Sequence, residues 1–129
     1  MAETLAALPW VALGGAIGGP VRFFVSGLVG RRFGETFPWG TLAVNVSGAF
    51  ALGLMSVALL RMASPASDAW HFLVTGVLGS YTTVSSFSLQ TLALAREGQA
   101  RLAALNAGAS LAACLAAVTL GAWLASVLL

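Results

Sequence analysis

Apolar residues run along this chain in four long stretches separated by short polar gaps. Leu8–Gly30, Trp39–Leu60, Trp70–Ala95 and Leu102–Leu129 each supply the roughly 20 mostly apolar residues that a helix needs to cross hydrocarbon. Arg22 is the one charge inside them. Glu3, Arg31, Arg32, Glu35, Arg61, Asp68, Arg96, Glu97 and Arg101 all fall in the gaps or at the N-terminus. Trp10, Trp39, Trp70 and His71 stand at span ends, where amphipathic rings suit the headgroup level. The pattern predicts an all-α membrane protein, one transmembrane domain over 1–129, with four transmembrane helices. The connections Arg31–Pro38, Arg61–Ala69 and Arg96–Arg101 are short, so successive helices are expected to pack as antiparallel neighbours.

The third stretch departs from the others. Its centre, Gly76-Val-Leu-Gly-Ser-Tyr-Thr-Thr-Val-Ser-Ser-Phe-Ser88, is rich in glycine, β-branched and hydroxyl residues, which are weak helix formers. A break near residues 79–84 is expected, with hydroxyls satisfying the freed backbone groups. Discontinuous membrane helices place unpaired carbonyl and N–H groups at ion sites near the midplane. A continuous helix with serines bonding back to the previous turn is the alternative. In the first stretch, Gly14 with Gly18 and Gly15 with Gly19 form overlapped small-xxx-small pairs that favour close helix packing.

Composition narrows the class. Hydrophobic residues make up 59% and charged residues 8% of the 129, too few charges to cover a soluble domain. The net charge of +2 comes from arginine alone and lacks the clustered basic face that nucleic acid requires, so no nucleic-acid partner is expected. The start, Met-Ala-Glu-Thr, has no positive n-region, and the first span is expected to remain in the mature protein. A single cysteine, Cys114, and a single histidine, His71, leave neither a nucleophile–base pair nor a metal cluster, and enzymatic activity is not expected.

Polar side chains inside a membrane are costly and point to function. Thr41, Asn45 and Gly48 share a face of the second helix, and Asn106, Ser110 and Cys114 share one of the fourth. Beyond the break, Ser85 and Ser88 share a side, with Ser86 and Gln90 nearby. Three uncharged polar stripes fit a pathway for a small polar or ionic solute better than interhelical hydrogen bonding alone. With no Asp or Glu in any span, a proton relay or a carboxylate cation site is unavailable. Hydroxyl and amide groups donate to anions, and Arg22 either draws anions into a vestibule or snorkels to the interface. Residue physics reaches a donor-lined path that tolerates anions and does not name the ion.

Three motifs do. Gly14-Gly15-Ala-Ile-Gly-Gly-Pro-Val-Arg22-Phe, Pro38-Trp-Gly-Thr-Leu-Ala-Val-Asn45-Val-Ser-Gly48 and Gly76-Val-Leu-Gly79-Ser-Tyr-Thr82-Thr83-Val84-Ser85-Ser86-Phe87-Ser88 resemble, in order, the signatures of the Fluc (CrcB) fluoride-channel family. The resemblance runs over nearly the whole chain. It implies passive export of cytoplasmic fluoride across the inner (plasma) membrane by an antiparallel, dual-topology-type dimer with two pores. It also implies a structural Na+ at the dimer interface, held by backbone carbonyls of Gly79 and Thr82. By position Asn45 matches the pore asparagine, Phe87 the second ring of a phenylalanine pair, Ser85 and Ser86 the polar track, and Ser110 its helix-four serine. A ring edge carries partial positive charge and contacts an anion without trapping it.

The chain departs from that family at Val84, in place of the first pore phenylalanine, at Gln90, in place of a frequent glutamate, and at Asn106, in place of a frequent tyrosine. Arg31, Arg32, Arg96 and Arg101 flank one side of the spans against Arg61 alone on the other, a bias that favours one orientation with both termini outside the cytoplasm. Together these point to pairing with an oppositely oriented homologue, set against a homodimer that tolerates the substitutions. The runner-up function is a small four-helix multidrug or metabolite exporter. Such a protein needs an intramembrane carboxylate to exchange protons for a cationic substrate, and the first span has none.

Overall fold

The computed structural model describes all 129 residues. The chain is all helical: α1 (Ala2–Phe33), α2 (Trp39–Met62), α3 (68–81), α4 (Ser85–Arg96) and α5 (Ala100–Leu128). Residues 82–84 separate α3 from α4, so these two together form the third membrane-crossing unit, Asp68–Arg96. Four units are long and apolar enough to cross a membrane, as the charge partition requires. α1 has 32 residues and at ~1.5 Å per residue exceeds the ~30 Å hydrocarbon. Its extra turns belong to the headgroup region and beyond. Gly34, at φ 86°, ends α1 with its N–H on the Gly30 carbonyl, and Gly98, at φ 79°, turns the chain from α4 into α5. Left-handed backbone of this kind favours glycine.

The break is real but narrower than expected, since Gly79–Tyr81 still form a helical turn. Winding within α3 differs from the reading of a plain α-helix. After one α turn, Asp68–Trp70, the segment His71–Leu78 is π-helical, and the Gly79 N–H reaches back to the Val74 carbonyl. Nothing in the side-chain pattern of residues 71–78 announces that wider winding.

Helix pairing also differs from the expectation of sequential neighbours. The closest packing joins α1 to α3 and α2 to α5, elements that run parallel, while α2 touches α3 only lightly. Glycine explains the choice. A side chain at Gly14 would run into the Phe72 carbonyl, and one at Gly18 into the Val77 carbonyl, both on α3. Between α2 and α5 the arrangement is reciprocal: Gly53 faces the Val118 carbonyl and Gly121 faces the Phe50 carbonyl. Bare backbone on each side lets these axes approach, and van der Waals packing then holds them where lipid gives no hydrophobic drive. Short connections bring consecutive helices near one another; glycine decides which pairs close up. The two packed pairs are joined by α1 against α2 and by α4 against α5, and the break lies among them.

Candidate functional site: the helix break and the cavity above it

The break begins where α3 stops donating to itself. The Thr82 N–H still bonds the Leu78 carbonyl at 3.0 Å, and its hydroxyl bonds the same oxygen at 3.1 Å. The next amide turns away. Thr83 N–H donates to Asn45 Oδ1 at 2.8 Å, and Asn45 Nδ2 donates to the Thr83 carbonyl at 2.8 Å. One side-chain amide on α2 thus pairs with both polar groups of one backbone residue, as a neighbouring strand would. In hydrocarbon, unpaired backbone groups cost several kcal/mol each, so Asn45 is what makes the interruption tolerable. The Thr83 hydroxyl then starts the next helix. It accepts from the Ser86 N–H at 3.2 Å, a capping bond to the second residue of α4, and it donates to Ser86 Oγ at 3.3 Å.

Thr41, Asn45 and Gly48 do share one face of α2, and that face meets the break. Gly48 is bare because a side chain there would strike Thr82 and the Tyr81 ring. Arg22 does not snorkel: its Nη1 lies 3.4 Å from the Thr82 carbonyl, a long hydrogen bond.

Above the break, toward the end of the molecule carrying Arg31 and Glu97, a cavity of about 580 Å³ opens among α1, α2, α4 and the 34–38 connection. A smaller chamber of about 180 Å³ reaches Arg22 and Thr83. Phe23, Ser26, Thr41 and Ser86 line both, so the two form one descending passage. Arg31, Glu35 and Glu97 carry charge at its mouth, Arg22 carries it at the floor, and the walls between are uncharged.

The residues singled out from sequence separate into groups. Thr41, Ser86 and Arg22 line the passage, and Asn45 braces its floor through Thr83. Val84, 77% exposed, and Ser85 lie on the outer surface of the chain, and Phe87 is half-buried. Asn106 and Ser110 are buried between α5 and α4 in a directed chain. Ser110 Oγ donates to Asn106 Oδ1 at 3.4 Å, Asn106 Nδ2 to Thr91 Oγ1 at 2.8 Å, and Thr91 Oγ1 to the Phe87 carbonyl at 2.7 Å. Cys114, on the same stripe, makes no part of it. Ser26, Thr83 and Thr91 were not singled out. Ser26 carried a signal, one helical turn beyond Arg22, and Thr83 carried another, a hydroxyl just before a helix start.

The family resemblance implies a cation held by the carbonyls of Gly79 and Thr82. The Gly79 oxygen has no helical donor, because the residue four ahead, Thr83, gives its N–H to Asn45. The negative end of α3 also favours positive charge. Hard cations take oxygen ligands, so these carbonyls fit Na+, with Arg22 competing for the Thr82 oxygen.

The family model for the CrcB-like protein, Camphor Resistance (CrcB), matches residues 9–122. The chain belongs to the CrcB family. Among its relatives, the Rhodopseudomonas palustris protein named fluoride-specific ion channel FluC 2 is 54% identical over 115 residues, 86% of each chain. The Brucella suis protein named fluoride-specific ion channel FluC 3 is 53% identical over 102 residues, 78% of this chain and 77% of that one. The Opitutus terrae protein named fluoride-specific ion channel FluC is 54% identical over 92 residues, 69% of each. The match to the CrcB family takes in most of α1, all of α2 to α4 and most of α5, and so contains the break and every wall of the passage.

Asn45→Ala removes both bonds to Thr83 and leaves that N–H and carbonyl unpaired. At about 1–3 kcal/mol for an unsatisfied buried group, the variant should unfold at a visibly lower temperature in detergent than wild type. An unchanged unfolding midpoint would show that the break does not depend on Asn45.

Proposed function

We propose that this CrcB protein is one subunit of a passive fluoride channel in the cell's inner (plasma) membrane. The observation that carries the proposal is the uncharged, donor-lined passage from the charged mouth to Arg22 and Thr83, in a chain whose relatives are named as fluoride-specific ion channels. A small anion is drawn by Arg22 and received by hydroxyls that bind it without a formal charge to hold it there. The partner is a second subunit in opposite orientation. Its contact supplies cover for the exposed Val84 and Ser85 and brings two sets of Gly79 and Thr82 carbonyls together. A Na+ held there would supply fixed positive charge for carbonyls that lipid cannot satisfy. Phe87 offers a ring edge to the anion, with its backbone set by the Ser110–Asn106–Thr91 chain.

Fluoride efflux from proteoliposomes, followed with a fluoride electrode, tests the reading. None of the apolar stretches Leu8–Gly30, Trp39–Leu60, Trp70–Ala95 and Leu102–Leu129 carries an acid, so electrogenic efflux should persist when a protonophore or an imposed pH gradient is added. Uphill fluoride movement driven by a proton gradient alone would contradict passive conduction and favour an exporter.

The arginine bias, four against one, favours a single orientation in the membrane and a partner that is an oppositely oriented homologue. With the chain expressed alone, cysteines introduced near each terminus should be labelled from one side of the membrane only. Labelling from both sides, together with fluoride conduction by the chain alone, would identify a homodimer instead.

A further inference from the structure

The mouth of the passage holds chemistry that anion conduction does not use. Phe37 and Trp39 both line it. Their ring centroids are 4.8 Å apart and the planes are inclined at 55°, so the rings meet as two walls of a corner instead of stacking. A tight turn fixes that relation, the Trp39 N–H donating to the Phe37 carbonyl at 2.8 Å. Phe37 is buried and anchors the 34–38 connection, while Trp39 keeps 43% of its surface exposed. On the α4 wall, Glu97 lies at the C-terminal end of the helix, where the helix dipole already disfavours a carboxylate. Glu35, in the same connection as Phe37, adds a second one. Arg31 is the one basic residue lining this cavity. It turns back along α1, its Nη1 beside Gly27, and forms no ion pair with either acid. Gly30 lines the cavity as well, and a side chain there would meet nothing within 4 Å. That wall is bare although no helix packs against it.

Unpaired carboxylates, an aromatic corner and about 580 Å³ of space suit one class of ligand. Hard metal ions need several oxygens converging on one point, and no group of three or more acidic, histidine or cysteine side chains is gathered here. A quaternary ammonium is different. Its charge is diffuse, it has no N–H to satisfy, and ring faces attract it from within about 6 Å. We propose that the mouth is a binding site for a quaternary ammonium group, seated in the Phe37–Trp39 corner with Glu35 and Glu97 as its counter-charges, and that the seated group plugs the passage. Trp39 stands at a span end, at headgroup level, so the group comes either from a free organic cation or from a choline lipid headgroup. The plugging rests on the fluoride-channel reading above; the binding does not.

Binding is tested first, in maltoside detergent, by titrating tetraethylammonium against intrinsic tryptophan fluorescence. Wild type should show a saturable change with its midpoint in the millimolar range. Trp39→Phe keeps a ring in the corner but should lose the signal. Glu97→Gln, an exposed position at a helix end, should raise the midpoint about fivefold by removing one counter-charge. No saturable change up to about 100 mM, a change retained in Trp39→Phe, or a midpoint unmoved by Glu97→Gln overturns the site. Plugging is then read as initial fluoride efflux from proteoliposomes of phosphatidylethanolamine and phosphatidylglycerol, holding the chain alone or with its oppositely oriented partner. At constant ionic strength and constant Na+, about 10 mM tetraethylammonium on both faces should slow wild-type efflux at least twofold, as for a site of millimolar affinity. Glu97→Gln should be slowed less, each protein being compared with its own rate without the cation. Repeating this with phosphatidylcholine in the vesicles separates the sources: weaker block there marks the choline headgroup as a competitor for the corner, and equal block marks the free cation as the ligand. Efflux that tetraethylammonium leaves unchanged overturns the plug while the channel reading stands. Wild type that binds tetraethylammonium yet conducts no fluoride in either assembly overturns the channel reading, and the plug with it, and leaves the binding site in place.

Discussion

The paired hydrogen bonds between the Asn45 side chain and the Thr83 backbone are the constraint on which the rest of the arrangement depends. An interrupted helix inside hydrocarbon is unstable unless its loose backbone groups find partners. Asn45 supplies a donor and an acceptor at the right spacing, both at 2.8 Å. Diverting the Thr83 N–H has two consequences. It strips the Gly79 carbonyl of its helical partner, leaving an oxygen free at the negative end of α3. It also fixes Thr83 so that its hydroxyl caps α4 through Ser86. One side chain therefore sets up an acceptor-rich end and a donor-rich start within residues 79–86, close to the half-buried Arg22.

Helix packing then gives that break its surroundings. Glycines remove the bulk between α1 and α3 and between α2 and α5, so those pairs close tightly. The space left among α1, α2 and α4 becomes the passage. Its chemistry follows from the partition that makes the chain a membrane protein at all: charge is kept to the ends and to Arg22, and the walls carry hydroxyls and one amide. The buried chain from Ser110 through Asn106 and Thr91 to the Phe87 carbonyl ties α5 to α4 and holds that wall in register.

Much of this was legible from the residues. Four spans could be read because an ionised side chain in hydrocarbon is too costly to be scattered at random, and the break because glycine, threonine and serine cluster at one place. The pairing of helices was not legible from loop length, since closeness depends on which glycines face which carbonyls, and Gly53 and Gly121 look like any others in a glycine-rich chain. Asn45 stood out, but its partner is main chain, which leaves no mark on the pattern of side-chain types. Asn106 and Ser110 formed a visible stripe, yet a stripe does not say whether it faces a path or another helix; the Thr91 hydroxyl, which accepts from the Asn106 amide, decides that they bond inward. The π winding of His71–Leu78 had no signal at all.

Amide hydrogen exchange at the break measures the central constraint directly. With Asn45 holding Thr83, the Thr83 amide should be protected although it lies outside any helix, while the Val84 and Ser85 amides, which have no acceptor in the chain, exchange much faster. A Thr83 amide that exchanges as fast as Val84 and Ser85 would contradict the account.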